Sequence, residues 1–127
     1  MTQRRTRLGL VVAFAVAGAC STPSVPLPPP SVDTSALRFA SPQAGTVVLS
    51  GEARTTHADV RFFVFDQQSG DGVIATAAAD GSFTTAPLTA AIGDVAEVYF
   101  HTPEGEPSEH TCVTVLVAQP LVGAACP

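Results

Sequence analysis

VRFFVFDQQSGDGVIATAAADGSF, residues 60–83, holds two β-prone runs with turn chemistry between and after them. Phe62 and Val64 alternate with Arg61, Phe63 and Phe65, which is the two-residue period of a strand that buries one face. Ser69-Gly70-Asp71-Gly72 then interrupts the run, and Val73 to Ala78 resumes it. Asp80-Gly81 closes the stretch with a glycine that accepts the positive φ of a tight hairpin turn. Short strands punctuated this closely predict an all-β sandwich or barrel.

The pattern continues on both sides, so that seven strands are expected: 36–40, 46–50, 60–66, 73–78, 82–87, 95–101 and 111–117. Turns fall at Ser41-Pro42-Gln43-Ala44-Gly45, Gly93-Asp94 and Pro103-Glu104-Gly105. Alternation assigns Leu37, Phe39, Val47, Leu49, Phe62, Val64, Val98, Phe100, Val113, Val115 and Val117 to a core between two sheets. A chain of 127 residues has room for one such core. Phe63 and Phe65 are left on the opposite face of their strand beside Arg61, which marks either a partner surface or ground covered by a loop or the C-terminal tail.

The succession 48–53, 60–65, Ala79-Asp80-Gly81-Ser82-Phe83, Ile92-Gly93-Asp94 and 111–117 resembles bacterial immunoglobulin-like and fibronectin-like modules. The D-G-S-F turn also occurs in carboxypeptidase-regulatory-like sandwiches. The resemblance covers roughly residues 36 to 118 and implies an Ig-like antiparallel β-sandwich of about seven strands over 33–127. It implies no catalysis and brings no binding residues with it, because such modules serve as spacers, adhesive units and binding scaffolds alike.

The N-terminus reads as an address. Arg4, Arg5 and Arg7 precede an uncharged stretch from Leu8 to Ala19, the pattern of a signal peptide over 1–19 and too short for a lasting membrane span. Val16-Ala17-Gly18-Ala19-Cys20 resembles the lipobox of bacterial lipoproteins. That resemblance implies acylation of Cys20, anchoring of the mature chain in a membrane and, with Ser21 following the cysteine, placement in the outer membrane. Ala17-Gly18-Ala19 equally satisfies the A-x-A rule of ordinary signal peptidase, which gives a soluble secreted protein instead. The chain has three cysteines, and lipidation of Cys20 leaves Cys112 and Cys126 as an even pair. A disulfide between them closes a loop worth about 3 kcal/mol on the chain-entropy model. The alternative is that both stay reduced as small buried hydrophobes.

Five prolines in the eight residues from Pro23 to Pro30 exclude a helix or a central strand and favour polyproline II. A tether over 20–32 would hold the domain roughly 35 Å from its anchor. Beyond residue 19 three arginines face eleven acids, a side-chain balance of −8, and the chain has no lysine. Such a surface disfavours nucleic acid, whose binding needs clustered cations.

No catalytic constellation is present. There is no G-x-S-x-G elbow, no lysine to act as base and no phosphate loop. Carbohydrate platforms are scarce, with no tryptophan and only Tyr99 as tyrosine. No metal site or cofactor is assigned. Two metal readings stand beside this: calcium at the turn carboxylates Asp66, Asp71 and Asp80, and a transition metal at His101 and His110 if they face each other across a hairpin near Cys112. The expected function is therefore that of a membrane-anchored envelope lipoprotein, not an enzyme, whose sandwich serves as a structural or protein-binding module toward another envelope protein. A calcium- or transition-metal-dependent binding module is the alternative.

Overall fold

The computed structural model describes residues 25–127, so the expected signal peptide and the Cys20 lipidation site lie outside the described residues. Two antiparallel sheets form an all-β sandwich. The first contains β1 (Leu37–Gln43), β2 (Thr46–Gly51), β5 (Phe83–Thr84) and β6 (Leu88–Thr89). In it β2 is central, with β1 on one flank and the two short strands sharing the other. The second is ordered β4 (Gly72–Thr76), β3 (Arg61–Asp66), β7 (Val95–His101), β8 (Thr111–Thr114) and β9 (Ala124–Ala125). Two single-turn 3-10 helices, Thr34–Ala36 and Thr55–His57, complete the regular structure of the described residues.

All seven expected strands are present, and two of them need correction. The expected strand 82–87 stops after two residues, because Pro87 has no N–H to give a ladder, and pairing with β2 resumes only at Leu88. Buried Thr85 spans the interval: its backbone N–H donates to Leu49 O at 2.9 Å, and its Oγ1 accepts from Leu49 N at 3.0 Å. The Asp80-Gly81 turn is not a hairpin, since β4 and β5 lie in different sheets, and it carries the chain across the sandwich. Gly81 is required there twice over: its φ is +89°, and a Cβ would lie 2.0 Å from the Arg54 carbonyl oxygen. Asp80 Oδ1 accepts from Ser82 N and Oγ at 2.9 and 2.6 Å, and both bonds, the side-chain one foremost, hold its carboxyl below the usual range.

The crossover delivers Phe83 to the core, stacked on Phe62 with ring centroids 4.0 Å apart. Phe83 closes over Gly51, where a Cβ would sit 2.3 Å from its ring, so the two positions specify one another. Ten of the eleven expected core residues are buried, and Val117 is the exception at 37% exposed. Its exposure follows from the end of β8 at Thr114: the chain then leaves the five-stranded sheet and reaches the edge of β1. There Phe39 bridges Val117 in parallel, and Ala118 N donates to Phe39 O at 3.0 Å. It returns as β9, beside β8, where Cys112 and Cys126 are joined in a disulfide with Cα atoms 5.0 Å apart.

Packing begins slightly before the expected boundary at residue 33. Pro30 O accepts from Glu109 N at 2.8 Å, and Val32 is buried among the core residues. From Val25 to Pro29 the proline-rich segment is exposed and has neither helix nor strand.

Candidate functional site

Strand alternation gives each sheet one inner and one outer face, and the outer faces differ. On the four-stranded sheet the outward residues are Arg38, Ala40, Thr46, Val48, Ser50, Thr84 and Thr89, all of them half-buried or exposed. Arg38 and Ser50 pair across strands, Arg38 lies 3.6 Å from Glu52, and there is no aromatic ring among these described residues. On the five-stranded sheet the outward positions carry Arg61, Phe63, Phe65, Gly72, Ile74, Thr76, Val95, Glu97, Tyr99, His101, Cys112 and Thr114, with His110 just before β8.

Register turns these residues into a row. Phe63 lies opposite Ile74 on one side and Tyr99 on the other, while Val98 opposite Thr111 brings Tyr99 alongside His110. The rings of Phe63 and Tyr99 stack at 4.9 Å with planes 5° apart, and those of Tyr99 and His110 at 4.0 Å with planes 4° apart. His101 tilts against Phe63 at 4.7 Å, and Arg61 pairs with His101 in the next row. His110 Nδ1 meets the Glu97 carboxylate at the edge of the row. Ile74 is 60% exposed and Phe65 40%, and between them Phe63 and Tyr99 floor a shallow depression of about 250 Å³.

The C-terminal tail does not cover this surface. It pairs as β9 with β8, at the opposite edge of the sheet from Phe65 and Ile74. Aromatic pairs on a sheet face favour offset stacking, and each contributes about 0.5–1.5 kcal/mol beyond its burial. The row is therefore a preformed, rigid platform with an apolar middle and polar ends in Arg61, Glu97 and His110. Large rings held in this way lose little entropy when a second surface covers them.

The other sequence candidates are dispersed. His101 and His110 do share the outer face, but Tyr99, and not His101, stacks on His110. His101 instead forms an isolated bridge with Pro107 in the loop beyond β7. Cys112 lies opposite Glu97 and is committed to its disulfide, so it offers no thiolate. Of the three turn carboxylates, Asp66 and Asp71 lie at the β3–β4 end, whereas Asp80 sits beyond the other end of β4. Asp66 is fully buried, with Oδ2 accepting from Ser69 N at 2.8 Å and Oδ1 without a partner. Asp71 accepts from Thr89 N and Gly72 N, and these bonds, the Thr89 one foremost, hold its carboxyl below the usual range. Among the described residues no three His, Cys, Asp or Glu side chains converge as a metal-holding group.

The structure adds one ionisable group, His57, to which the sequence pattern assigns no role. His57 is fully buried at the end of the sandwich where residues 30–36 enter, and burial, above the nearby charges, lowers its pKa. No signal in the sequence marks it, since a lone histidine in a polar stretch has no period to place it.

Fold and site together define a small disulfide-closed β-sandwich with an aromatic platform on one outer face. No family model, curated protein or solved structure matches the chain.

Proposed function

We propose that the chain is an exported envelope protein whose sandwich docks a protein partner through the outer face of its five-stranded sheet. The observation that carries this reading is the row Ile74, Phe63, Tyr99 and His110, placed where a solvated sheet would carry polar side chains. Aromatic anchors with a charged rim are the composition of protein-binding patches. In this reading residues 1–19 are removed, Cys20 is acylated, and the proline-rich residues that follow, packed on the sandwich from Pro30 onward, tether an Ig-like domain to the outer membrane. The prolines in that tether and the disulfide, a bond favoured in oxidising compartments, support export. A secreted form cut at the same alanines presents the same face without an anchor.

A photo-crosslinking side chain placed at Ile74 in intact cells tests the docking, with the same probe at Thr84 on the other sheet as its control. A reproducible protein adduct from position 74 and none from position 84 is the expected result. Equal labelling from both positions, or none from 74, refutes the assignment. Intact-mass measurement of the membrane-extracted chain tests anchoring separately, by the cleavage point and any acyl mass on Cys20.

A further inference from the structure

We infer that His57 is an acid-sensitive latch: neutral, it holds the strap Pro30–Asp33 against the sandwich, and protonated, it lets that strap go. His57 ends the short 3-10 turn Thr55–His57 and is fully enclosed. Its ring meets Phe62 edge-on, with centroids 5.0 Å apart and planes at 89°, and Phe100 at 5.7 Å. Nε2 accepts a hydrogen bond from the Asp33 backbone N–H at 3.1 Å. An accepting Nε2 carries no proton, so the neutral ring bears its proton on Nδ1, which is buried without a hydrogen-bond partner.

A second proton must therefore go onto Nε2, where it points at another N–H donor. The cation would hold two donors in a closed site that offers an acceptor to neither, and the Asp33 bond is lost outright. The charged groups facing the ring are Asp33, whose carboxylate favours the cation, and Arg54, whose guanidinium opposes it. From β3 and β7 the ring meets the aromatic side chains of Phe62 and Phe100. Burial outweighs the Asp33 charge, so the ring resists protonation until the solution is more acidic than histidine ordinarily requires.

The bond His57 controls is a keystone of the chain's entry. Asp33 also caps the turn Thr34–Ala36 through Ser35 N and Oγ at 3.2 and 2.6 Å, and its other carboxylate oxygen meets Arg54 Nε at 3.2 Å. Upstream the strap is fixed by Pro30 O to Glu109 N and by buried Val32. Freeing its four residues would add about 13 Å to the reach of the proline-rich segment at some 3.3 Å per extended residue.

The sign follows from linkage. Because the folded form has the lower pKa, the unfolded or released form binds the proton first. The latch is at full strength above the ordinary histidine value of about 6.5 and weakens as pH falls below it, down to the folded-state pKa.

Amide hydrogen exchange on the full chain, followed from about pH 7.5 to about pH 4.5, tests the latch around that value. Protection at Asp33 is read against Val98 in the middle of β7, which removes the intrinsic pH dependence of exchange. Asp33 should lose at least tenfold of its protection while Val98 keeps its own, over the pH range in which the His57 ring resonances titrate. In His57→Gln, whose amide oxygen can accept but does not titrate, the Asp33 ratio should be flat. Should that variant not fold, the wild-type ratio and the ring titration decide alone. Unchanged Asp33 protection, loss at a pH where the His57 signals do not move, simultaneous loss at Val98, or a pH-dependent loss that persists in folded His57→Gln each overturns the proposal.

Discussion

The two sheets share one core and present opposite exteriors, and the contrast separates what folding requires from what it leaves free. Inside, Phe39 and Leu49 of one sheet and Phe62, Val98 and Phe100 of the other are equally buried. Outside, Arg38, Ala40, Thr46, Val48, Ser50, Thr84 and Thr89 line one sheet with no aromatic ring among them, whereas stacked rings line the middle of the other. Packing explains the inner residues of both. It does not require Ile74 or Phe65 to be apolar, because both remain in contact with water. An apolar group left exposed gains nothing from the hydrophobic effect until something covers it.

The strongest way to break the contrast is to remove what the sheets share. Phe62→Ala takes away a ring packed on Phe83, Phe100 and His57, and should cost about 3–5 kcal/mol, read by urea unfolding, with both outer faces lost together. Replacing Cys112 and Cys126 by serine acts on one sheet's edge. It should cost about 3 kcal/mol and raise amide exchange in β8 and β9 while leaving β1 and β2 protected. Ile74→Asp sharpens the contrast directly. Captured partner should fall roughly tenfold, equivalent to ~1.4 kcal/mol of binding, while folding stability changes by no more than about 0.5 kcal/mol, because the side chain is already exposed. Smallest of all is Arg38→Ala on the polar face. Both partners of its ion pair are close to half exposed, so stability should move by less than about 0.5 kcal/mol and partner capture not at all.

How far the sequence could be read depended on the range of the interaction involved. Strands announced themselves through alternation, so Phe62 and Val64 pointed inward without any knowledge of their neighbours. Turn chemistry was legible as well, though it misled at Asp80-Gly81. That dipeptide permits a tight turn but does not say whether the next strand pairs beside the last one or crosses to the other sheet. The decision came from Phe83 and Gly51, residues 32 positions apart that fit only each other. Val117 deceived for the opposite reason, since its alternation continues past the point where the ladder with β7 ends.

The platform was half visible. Phe63 and Phe65 stood out as apolar residues on an outer face, but Tyr99 and His110 join them only through register, which no single strand contains. His57 was invisible because its role rests on one backbone N–H, that of Asp33, 24 residues away. The same long-range character kept β9 from view. Two alanines carry no strand signal, and β9 is set beside β8 by the bond from Cys126.

The excursion of the chain after β8 leaves the molecule lopsided toward its own kind. By passing along β1 and then lying beside β8, that segment shields the edges on one side of the sandwich, while β4 ends the five-stranded sheet with its outer backbone groups unclaimed by any described strand. Of the strands whose outer edge has no described partner, β4 is the longest, and self-association by strand addition at Gly72–Thr76 would show as concentration-dependent amide protection confined to β4. In the antiparallel register centred on Ile74, the middle residue of β4, two copies joined edge to edge would set Ile74 against Ile74 and run their aromatic rows into a single band.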